Sequence, residues 1–260
     1  MIGTNISRAF FSLIVVLLAV ACSGHEPRMP KQFVDLSPTI GPDLLEHQFG
    51  PMIANSGYMP KPNFEHMVEQ DANFYSVMSV VTMLNHLGSH ADPPSHVFES
   101  GISIDQIPLD RFYGEVVFFD FRSRPRNHPL TSADFKSKTI GPDSVVIAYV
   151  GFEAPTEPGV LPAYPYLTGE AAHYLASMRI KAFGTDMPGL MSIVNSTRAS
   201  ADDPQVFEEH TALLEKEIVV IEGLANLDAI AGLPRVIFVG FPIKLEKGTG
   251  GPLRAVGLVY

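Results

Sequence analysis

Tryptophan is missing from this 260-residue sequence, and cysteine occurs once, as Cys22. A chain with one cysteine cannot form an internal disulfide. Basic residues are also few, since 18 lysines and arginines stand against 28 aspartates and glutamates, which gives a net charge of −10. This acidic balance lacks the positive footprint that binds phosphates, so the composition argues against a nucleic-acid partner.

Motifs of several common enzyme classes are missing as well. The sequence has no Gly-x-Ser-x-Gly turn that would present a nucleophilic serine, and no phosphate-binding loop. The glycines of residues 247–252 do not form a dinucleotide loop, because no helix is predicted after them. Cys22 lies too far from any predicted folded part to be a nucleophile. The chemistry must therefore depend on other residues.

The N-terminal segment has the features of a secretory signal. Arg8 is the only charged residue before an apolar run over residues 9–21, which is too short to span a bilayer comfortably as a helix. Ala19-Val20-Ala21 is typical of the small residues at a cleavage site. We predict that residues 1–21 are a signal peptide and that the mature protein of a bacterium is exported.

Cys22 follows this segment directly, which is the arrangement of a bacterial lipoprotein with a lipid on the cysteine sulfur. Ordinary cleavage by the general signal peptidase, which leaves the protein periplasmic and Cys22 incidental, is the alternative. Residues 22–31 contain glycine, two prolines and mixed charges, and are predicted to be a tether. The remaining residues, 32–260, are enough for one sizeable domain.

Residues 86–96 are the most informative stretch, because they contain His86, His90, Asp92 and His96. All four positions are even, and alternate side chains of an extended chain point to the same side. The two prolines after Asp92 stop a helix, so an extended row of donors is predicted. Imidazole nitrogens together with a carboxylate suit zinc or manganese, so the row predicts a divalent metal site.

The remaining chain alternates between predicted strands and helices. Residues 114–121 and 143–150 are near-continuous apolar runs, which indicate strands buried on both faces. A helix is predicted over 168–178, with Thr168 as its N-cap, and a short strand over 181–186. This alternation predicts an α/β layer.

A long irregular loop is predicted over residues 39–62, which are rich in glycine, proline and methionine. Its His47, Phe49, Met52 and Tyr58 would either line a substrate pocket or serve as packing. A strand predicted over residues 73–84 then delivers the histidine row.

Two further candidates occur far along the chain. His210 lies in a predicted helix over 205–216, and Glu222 ends a predicted strand over 217–222. A charged side chain at the end of an apolar run needs a reason, and the helix and strand ends could converge. Taken alone, however, His210 fits a surface position and Glu222 favours neither reading.

With these pieces in place, the chain resembles the metal-dependent cyclase family that includes bacterial kynurenine formamidase and isatin hydrolase. The resemblance covers about residues 33–259 and includes the segments 35–37, 209–210 and 221–227. The family signature His-x-Gly-Thr-His-x-Asp-x-Pro-x-His is matched at His86, Gly88, His90, Asp92, Pro94 and His96, with Ser89 in place of threonine.

The resemblance implies a swivelling β/β/α fold, a single α/β domain of mixed sheets with flanking helices, and a site for two divalent ions. By the matching positions, His86, His90 and Asp92 would bind the first ion. Asp92 would bridge to the second ion, held by His210 and Glu222. A single ion with Glu222 outside its ligand shell is the alternative.

The implied activity is hydrolysis of an amide, a cyclic amide or a lactone by a metal-activated water. His96 would be the proton-transfer residue, neutral at rest. The formamidases have a tryptophan near the substrate, which this chain lacks, so the resemblance does not carry over their substrate. The alternative function is an exported metal- or ligand-binding lipoprotein without catalysis.

The partners expected from this reading are few. They are a small-molecule substrate, a membrane only through a lipid on Cys22, and a second copy of the chain. Members of the family are often dimeric, and an exposed β edge would provide the interface.

Overall fold

The computed structural model describes residues 29–196 and 207–260. The predicted signal peptide, Cys22 and most of the tether lie outside the described residues. The strands are β1 (Gln32–Asp35), β2 (Asn63–Gln70), β3 (Tyr75–Thr82), β4 (His90–Asp92), β5 (Tyr113–Asp120), β6 (Pro129–Leu130), β7 (Val145–Tyr149), β8 (Tyr166–Leu167), β9 (Ala182–Thr185), β10 (Val219–Glu222), β11 (Val236–Val239), β12 (Gly251–Pro252) and β13 (Val256–Val259).

Helices are fewer and mostly short. The α-helices are α1 (Leu44–Ala54), α2 (Ser132–Phe135), α3 (Gly169–Ser177), α4 (Ile193–Ser196) and α5 (Glu208–Leu214). Single 3-10 turns occur at Pro94–His96, Ile104–Gln106, Leu109–Phe112 and Leu227–Ile230. Within residues 29–196 and 207–260, no helix is long and apolar enough to cross a membrane.

Nine strands form one curled sheet in the order β1-β13-β11-β5-β7-β9-β10-β4-β12. The central strands β5, β7, β9 and β10 run parallel, and the pairs toward both edges are antiparallel. The mixed α/β fold that the sequence predicts is therefore confirmed. Strand β4 lies one place from the end of this sheet, between β10 and β12.

Strands β7, β9 and β10 are buried on both faces, because each face of the sheet carries its own core. Val146 of β7 packs in the cluster under helices α2, α3 and α5, together with Phe183 of β9. Their neighbours Val145 and Ala182 point the other way, into a second core. The curled sheet encloses this core, and side chains of its strands β1, β11 and β13 contribute to it. This is the reason why these strands are nearly continuous apolar runs.

Helix α3 follows the local rules that predict it. The side chain of Thr168 accepts a hydrogen bond from the backbone N–H of Ala171, 3.2 Å away, as an N-cap does. Ala171, Ala172 and Leu175 are fully buried against the sheet. The helix predicted over 168–178 is thus confirmed with a shift of one residue at each end.

Three local predictions are wrong. Residues 39–62 are not an irregular loop, because they contain α1, which Gly50 interrupts with a φ of 75°. The strand over 114–121 is buried in part only, because Glu115 and Asp120 of β5 are exposed and residues 116–118 are half-buried. The donor row is extended only in β4: Gly88 before it has a φ of 73°, and Pro94–His96 after it is a 3-10 turn.

Strands β2 and β3 form a separate two-stranded hairpin, paired from Asn63 with Thr82 to Gln70 with Tyr75. The strand predicted over 73–84 is therefore real, but its partner β2 was not predicted. Nearly every residue of the hairpin is exposed. The chain leaves β3 at Thr82 and reaches His86 four residues later.

Candidate metal centre

Strand β4 brings donors from distant parts of the chain onto one face of the sheet. His90 and Asp92 are two residues apart in β4 and therefore point to the same side. Glu222, the last residue of β10, lies directly opposite His90 in the antiparallel ladder and shares that side. The pair between them, Ala91 and Ile221, faces the opposite side and is fully buried in the core.

The other three predicted residues come from elements beside β4. His86 lies in the turn before the strand, and His96 ends the 3-10 turn after it. His210 belongs to α5, the helix that leads into β10. The structure thus brings together all six residues that the sequence predicts as ligands or proton carrier.

Asp92 is the centre of this cluster and is completely buried. Its Oδ1 lies 2.8 Å from Nδ1 of His86 and 3.6 Å from Nε2 of His90. Its Oδ2 lies 4.0 Å from Nε2 of His210. The Asp92 carboxylate therefore has three imidazole nitrogens near it: one from the turn before β4, one from β4 itself and one from α5.

Glu222 is the second buried carboxylate, with 5% of its surface exposed. Its Oε1 lies 3.1 Å from Nε2 of His210 and also accepts a hydrogen bond from the backbone N–H of Leu190 at 3.1 Å. Its Oε2 lies 3.6 Å from Nε2 of His90. Both oxygens thus face imidazoles that belong to the cluster.

His96 is half-buried at the open side of the cluster. Its ring centroid lies 4.5 Å from that of His86 and 5.8 Å from that of His210. Burial lowers the pKa of His96, and the neighbouring imidazoles oppose a further positive charge there. A neutral imidazole with solvent access is what a proton-transfer residue needs.

The buried carboxylates raise the pKa of two imidazoles, those of His90 and His210, so that both are protonated at neutral pH. Burial opposes protonation of His90, but the negative charges of Asp92 and Glu222 outweigh it and raise its pKa to about 9. Burial likewise opposes protonation of His210, yet hydrogen bonds with Glu209 and Glu222 raise its pKa to about 10. These protons occupy nitrogens that a metal ion would need.

The donor set fits divalent cations. Within the described residues, neither oxygen of Asp92 has a hydrogen-bond partner of good geometry. A buried carboxylate without such partners costs on the order of several kcal/mol, which a bound cation would offset. Carboxylate oxygens and imidazole nitrogens are ligands of zinc and manganese.

The geometry suggests two overlapping sets of ligands. Donor atoms of His86, Asp92 and His96 lie within 4.8 Å of one another, and so do donor atoms of His90, Asp92 and Glu222. Asp92 is common to both sets, as the bridging role requires. His86 and His90 belong to different sets, whereas the prediction assigns both to the first ion. Which residue binds which ion therefore stays a prediction.

A network of buried hydrogen bonds orients His90. Its Nδ1–H donates to the carbonyl oxygen of Gly88 at 2.9 Å, which leaves Nε2 to face the two carboxylates. The N–H of Gly88 donates in turn to Oε1 of Gln48 at 2.8 Å. Gln48 lies on α1, is 7% exposed and was not predicted, because nothing in its sequence context indicates a contact forty residues away.

Ser89 and Gly223 tie β4 to β10 next to the donors. The hydroxyl of Ser89 donates to the carbonyl oxygen of Gly223 at 2.8 Å. Gly223 has a φ of 66°, and a Cβ there would lie 2.5 Å from the carbonyl oxygen of Gly88. Glycine is therefore required at this position, and the contact fixes Glu222, its neighbour, relative to His90.

Glu209 orients His210 in the same manner. Its carboxylate is buried and lies 3.4 Å from Nδ1 of His210. Such a carboxylate fixes the imidazole tautomer and leaves Nε2 free for a ligand role. The sequence places Glu209 in the matching motif but assigns it no function.

Four residues of the segment 39–62 were predicted either to line a substrate pocket or to serve as packing, and the structure places them differently. Phe49 is buried in a small core cluster, whereas Met52 and Tyr58 are exposed. His47 lines a cavity of about 300 Å³, together with Gln48 and Asp186. Only His47 therefore fits the pocket reading.

The comparisons with known proteins agree with this geometry. The family model described as "Putative cyclase" matches residues 34–190, and the chain belongs to this cyclase family. The resemblance that the histidine signature indicates is thereby confirmed.

The relatives are hydrolases. The chain is similar to the kynurenine formamidase of Salinibacter ruber, with 29% identity over 177 residues, which are 66% of this chain and 74% of that protein. It is also similar to the isatin hydrolase of Roseibium aggregatum, with 26% identity over 250 residues, or 88% and 92% of the two chains. The prediction of a metal-dependent hydrolase agrees with both.

A solved structure supports the fold over most of the chain. An isatin hydrolase bound to the product analogue thioisatinate matches with a TM-score of 0.71 and 25% identity, over 88% of this chain and 92% of that one. The predicted cyclase-like architecture is confirmed by this match.

The hydrogen bond from Gly88 to Gln48 gives a first prediction. Gln48→Leu removes the acceptor that holds Gly88 and, through it, His90. We expect the affinity for Mn²⁺ or Zn²⁺, measured by competition with a chromophoric chelator, to fall about 10- to 100-fold. His47→Leu, in the same helix with an exposed side chain, is the matched control and should bind as the unmodified protein does. An unchanged affinity of folded Gln48→Leu would contradict the role of Gln48.

The protonated imidazoles give a second prediction, on pH. A metal ion must displace protons from His90 and His210, whose pKa values are about 9 and 10 in the metal-free chain. We expect binding to release up to about two protons at pH 7 and the affinity to increase as the pH rises toward 9. Titration calorimetry in buffers of different ionisation enthalpy measures the release. Binding without proton release would show that these nitrogens are not ligands.

Proposed function

We propose that this protein is an exported metal-dependent hydrolase that cleaves an amide, a cyclic amide or a lactone of a small molecule. The observation that carries the proposal is the buried Asp92. Imidazoles of His86, His90 and His210 surround it, while neither of its oxygens has a hydrogen-bond partner of good geometry among the described residues. The relatives that act on kynurenine-type and isatin-type substrates support the class of reaction.

The proposed ligands are His86, His90 and Asp92 for one ion, and His210 and Glu222 for a second ion that shares Asp92. A bound divalent cation supplies Lewis-acid activation of water and of the substrate carbonyl. Zinc and manganese both accept this mixture of nitrogen and oxygen ligands.

His96 is the proposed acid–base residue. Its imidazole is neutral at pH 7, because burial lowers its pKa, and it lies half-buried next to the cluster with access to solvent. It can accept a proton from the attacking water and return it to the leaving nitrogen or oxygen. No ligand role is needed for this function.

The substrate class follows from the chemistry rather than from one relative. The relatives named above hydrolyse a formamide and a cyclic amide, and both substrates carry a carbonyl next to nitrogen on an aromatic ring. This chain has no tryptophan to stack on such a ring. We therefore keep the wider class of an amide, a cyclic amide or a lactone as the proposed substrate and assign no single compound.

His96→Ala tests the mechanism. The variant should keep its metal content and lose about 10²- to 10⁴-fold in kcat on a panel of aryl formamides, cyclic amides and lactones. His173→Ala is the matched control, because His173 is an exposed helix residue with 60% of its side chain accessible. Unchanged turnover in His96→Ala would exclude the proton-transfer role, and a lower metal content would make His96 a ligand instead.

Metal counting tests the number of ions. Native mass spectrometry of the loaded protein should give two divalent ions per chain, and Glu222→Gln should lose one of them. A single ion in both proteins would place Glu222 outside the ligand shell. Two tightly held ions without turnover of any panel compound would favour a metal-binding lipoprotein without catalysis.

Export and lipid attachment are the cellular part of the proposal. Their support is Arg8, the apolar run over residues 9–21 and the position of Cys22, all in the sequence. Expressed in bacteria with labelled palmitate, the full chain should carry the label in the membrane fraction, and Cys22→Ser should not. An unlabelled, soluble periplasmic form would indicate ordinary signal cleavage.

We also propose that the protein is a homodimer. The support is an apolar hairpin that is exposed on the single chain.

A further inference from the structure

The sheet has an apolar outward side at β1, β13, β11 and β5. These strands pair antiparallel, so directly opposed residues point to the same side. Val34, Phe238 and Val259 point into the enclosed core, and the residues that alternate with them point outward. An antiparallel sheet normally places polar residues on its solvated side. Here six outward residues are apolar and form what we call the outer face: Phe33, Leu258, Val256, Ile237, Val239 and Tyr113.

The outer face is continuous and is not part of the cores. Phe33 lies opposite Leu258, which lies opposite Ile237, and the next pairs along the ladders join Val256, Val239 and Tyr113. None of the six side chains belongs to the hydrophobic cores of the described residues. Phe33 is 64% exposed and Tyr113 is 46% exposed. A contiguous apolar surface of this kind marks a contact with something outside the chain.

The apolar surface continues in the loop after β11. Phe241 is 49% exposed and Ile243 is 59% exposed. Both residues line one cavity of about 550 Å³ together with Asp35 of β1 and Arg254. This loop therefore borders the outer face and extends it.

The charges around the outer face differ from those of the whole chain, which has a net charge of −10. Arg254 lies 2.6 Å from Asp35. Arg235 lies 3.9 Å from Glu115. Both acidic groups are thus paired, and Lys31 at the start of β1 leaves this side of the molecule slightly positive. Anionic lipid head groups repel an acidic protein in general, but they do not repel this side of it.

The predicted lipid anchor leads to the same face. Residues 22–31 join Cys22 to β1, in which Phe33 is the second residue. Ten residues span at most about 35 Å when fully extended. A domain of about 230 residues is roughly 45 Å across, and helices α2, α3 and α5 lie beyond both cores from the outer face. A tether of this length cannot reach around the domain to the helical side, so it keeps the outer face near the bilayer.

We propose that the outer face docks on the surface of an anionic phospholipid bilayer while the lipid on Cys22 anchors the chain. Exposed aromatic side chains such as Phe33 and Tyr113 favour the head-group region, where an apolar ring and a polar tip are both accommodated. A second contact strengthens an acyl anchor and fixes the orientation of the protein. Helix α5, which carries His210, then faces the aqueous phase. This inference rests on the proposed lipid attachment and not on the proposed hydrolysis.

Tryptophan fluorescence tests the contact, because the chain contains no tryptophan of its own. Phe33→Trp and Tyr113→Trp each place a single indole on the outer face. The lipidated full chain, purified from bacterial membranes, is reconstituted into vesicles of phosphatidylglycerol and brominated phosphatidylcholine. Both variants should lose fluorescence to the bromine atoms and shift their emission to shorter wavelengths. His173→Trp, at an exposed position of α3, is the matched control and should show neither change.

A charge reversal gives the complementary result. Phe241→Glu, made together with Tyr113→Trp, removes an exposed apolar side chain and adds a negative charge next to the anionic head groups. The bromine quenching of the Tyr113→Trp indole should then decrease, while an unchanged metal content shows that the chain is folded. His173→Glu adds the same charge on the helical side and should leave the quenching as it is.

The outcomes separate the anchor from the face. Labelled palmitate reports the anchor, and a chain without lipid would overturn the anchor and this docking together. A lipidated chain whose Phe33→Trp and Tyr113→Trp indoles keep their fluorescence on the vesicles would overturn the docking alone. Indoles that are already shielded from acrylamide in the soluble Cys22→Ser form would show that a second copy or another protein covers the face, which also excludes the bilayer.

Discussion

The burial of Asp92 is the constraint on which the rest of this structure depends. Its carboxylate has no accessible surface and no hydrogen-bond partner of good geometry among the described residues. Such a group is tolerated only when positive charge surrounds it, from protonated imidazoles in the metal-free chain or from cations in the loaded one. The convergence of His86, His90 and His210 on this carboxylate follows from that requirement.

The sheet meets this requirement with few residues. Strand β4 pairs with β10 so that His90 and Glu222 stand opposite each other, while the next pair along the ladder fills the core. Gly223 allows the two strand ends to touch, and Gln48 fixes the backbone in front of His90. The donors are thus held by strands and by buried hydrogen bonds, which give a site its precision.

The sequence predicts those elements of the fold whose stability depends on their own residues, such as apolar strands and a capped helix. The strands of the parallel centre and helix α3 are found close to their predicted bounds, since burial on both faces and an N-cap leave clear marks in the sequence. Helix α1 was missed because Gly50 and Pro51 interrupt it, and because it is stabilised by long-range packing on Leu87 that its own sequence does not show. Strand β2 was missed because its glutamates and histidine conceal the alternation.

The sequence by itself determined the donors: their chemical types, their spacing in residues 86–96, and the presence of His210 and Glu222 in a matching context. It also determined the family, because the signature is local and specific. Only the tertiary structure decided that residues more than a hundred positions apart share one face of a sheet, that Gln48 and Glu209 orient two of the imidazoles, and that Asp92 is buried without a hydrogen-bond partner of good geometry among the described residues. The physical reason is that convergence and burial are properties of strand pairing and packing, which no single segment of the chain contains.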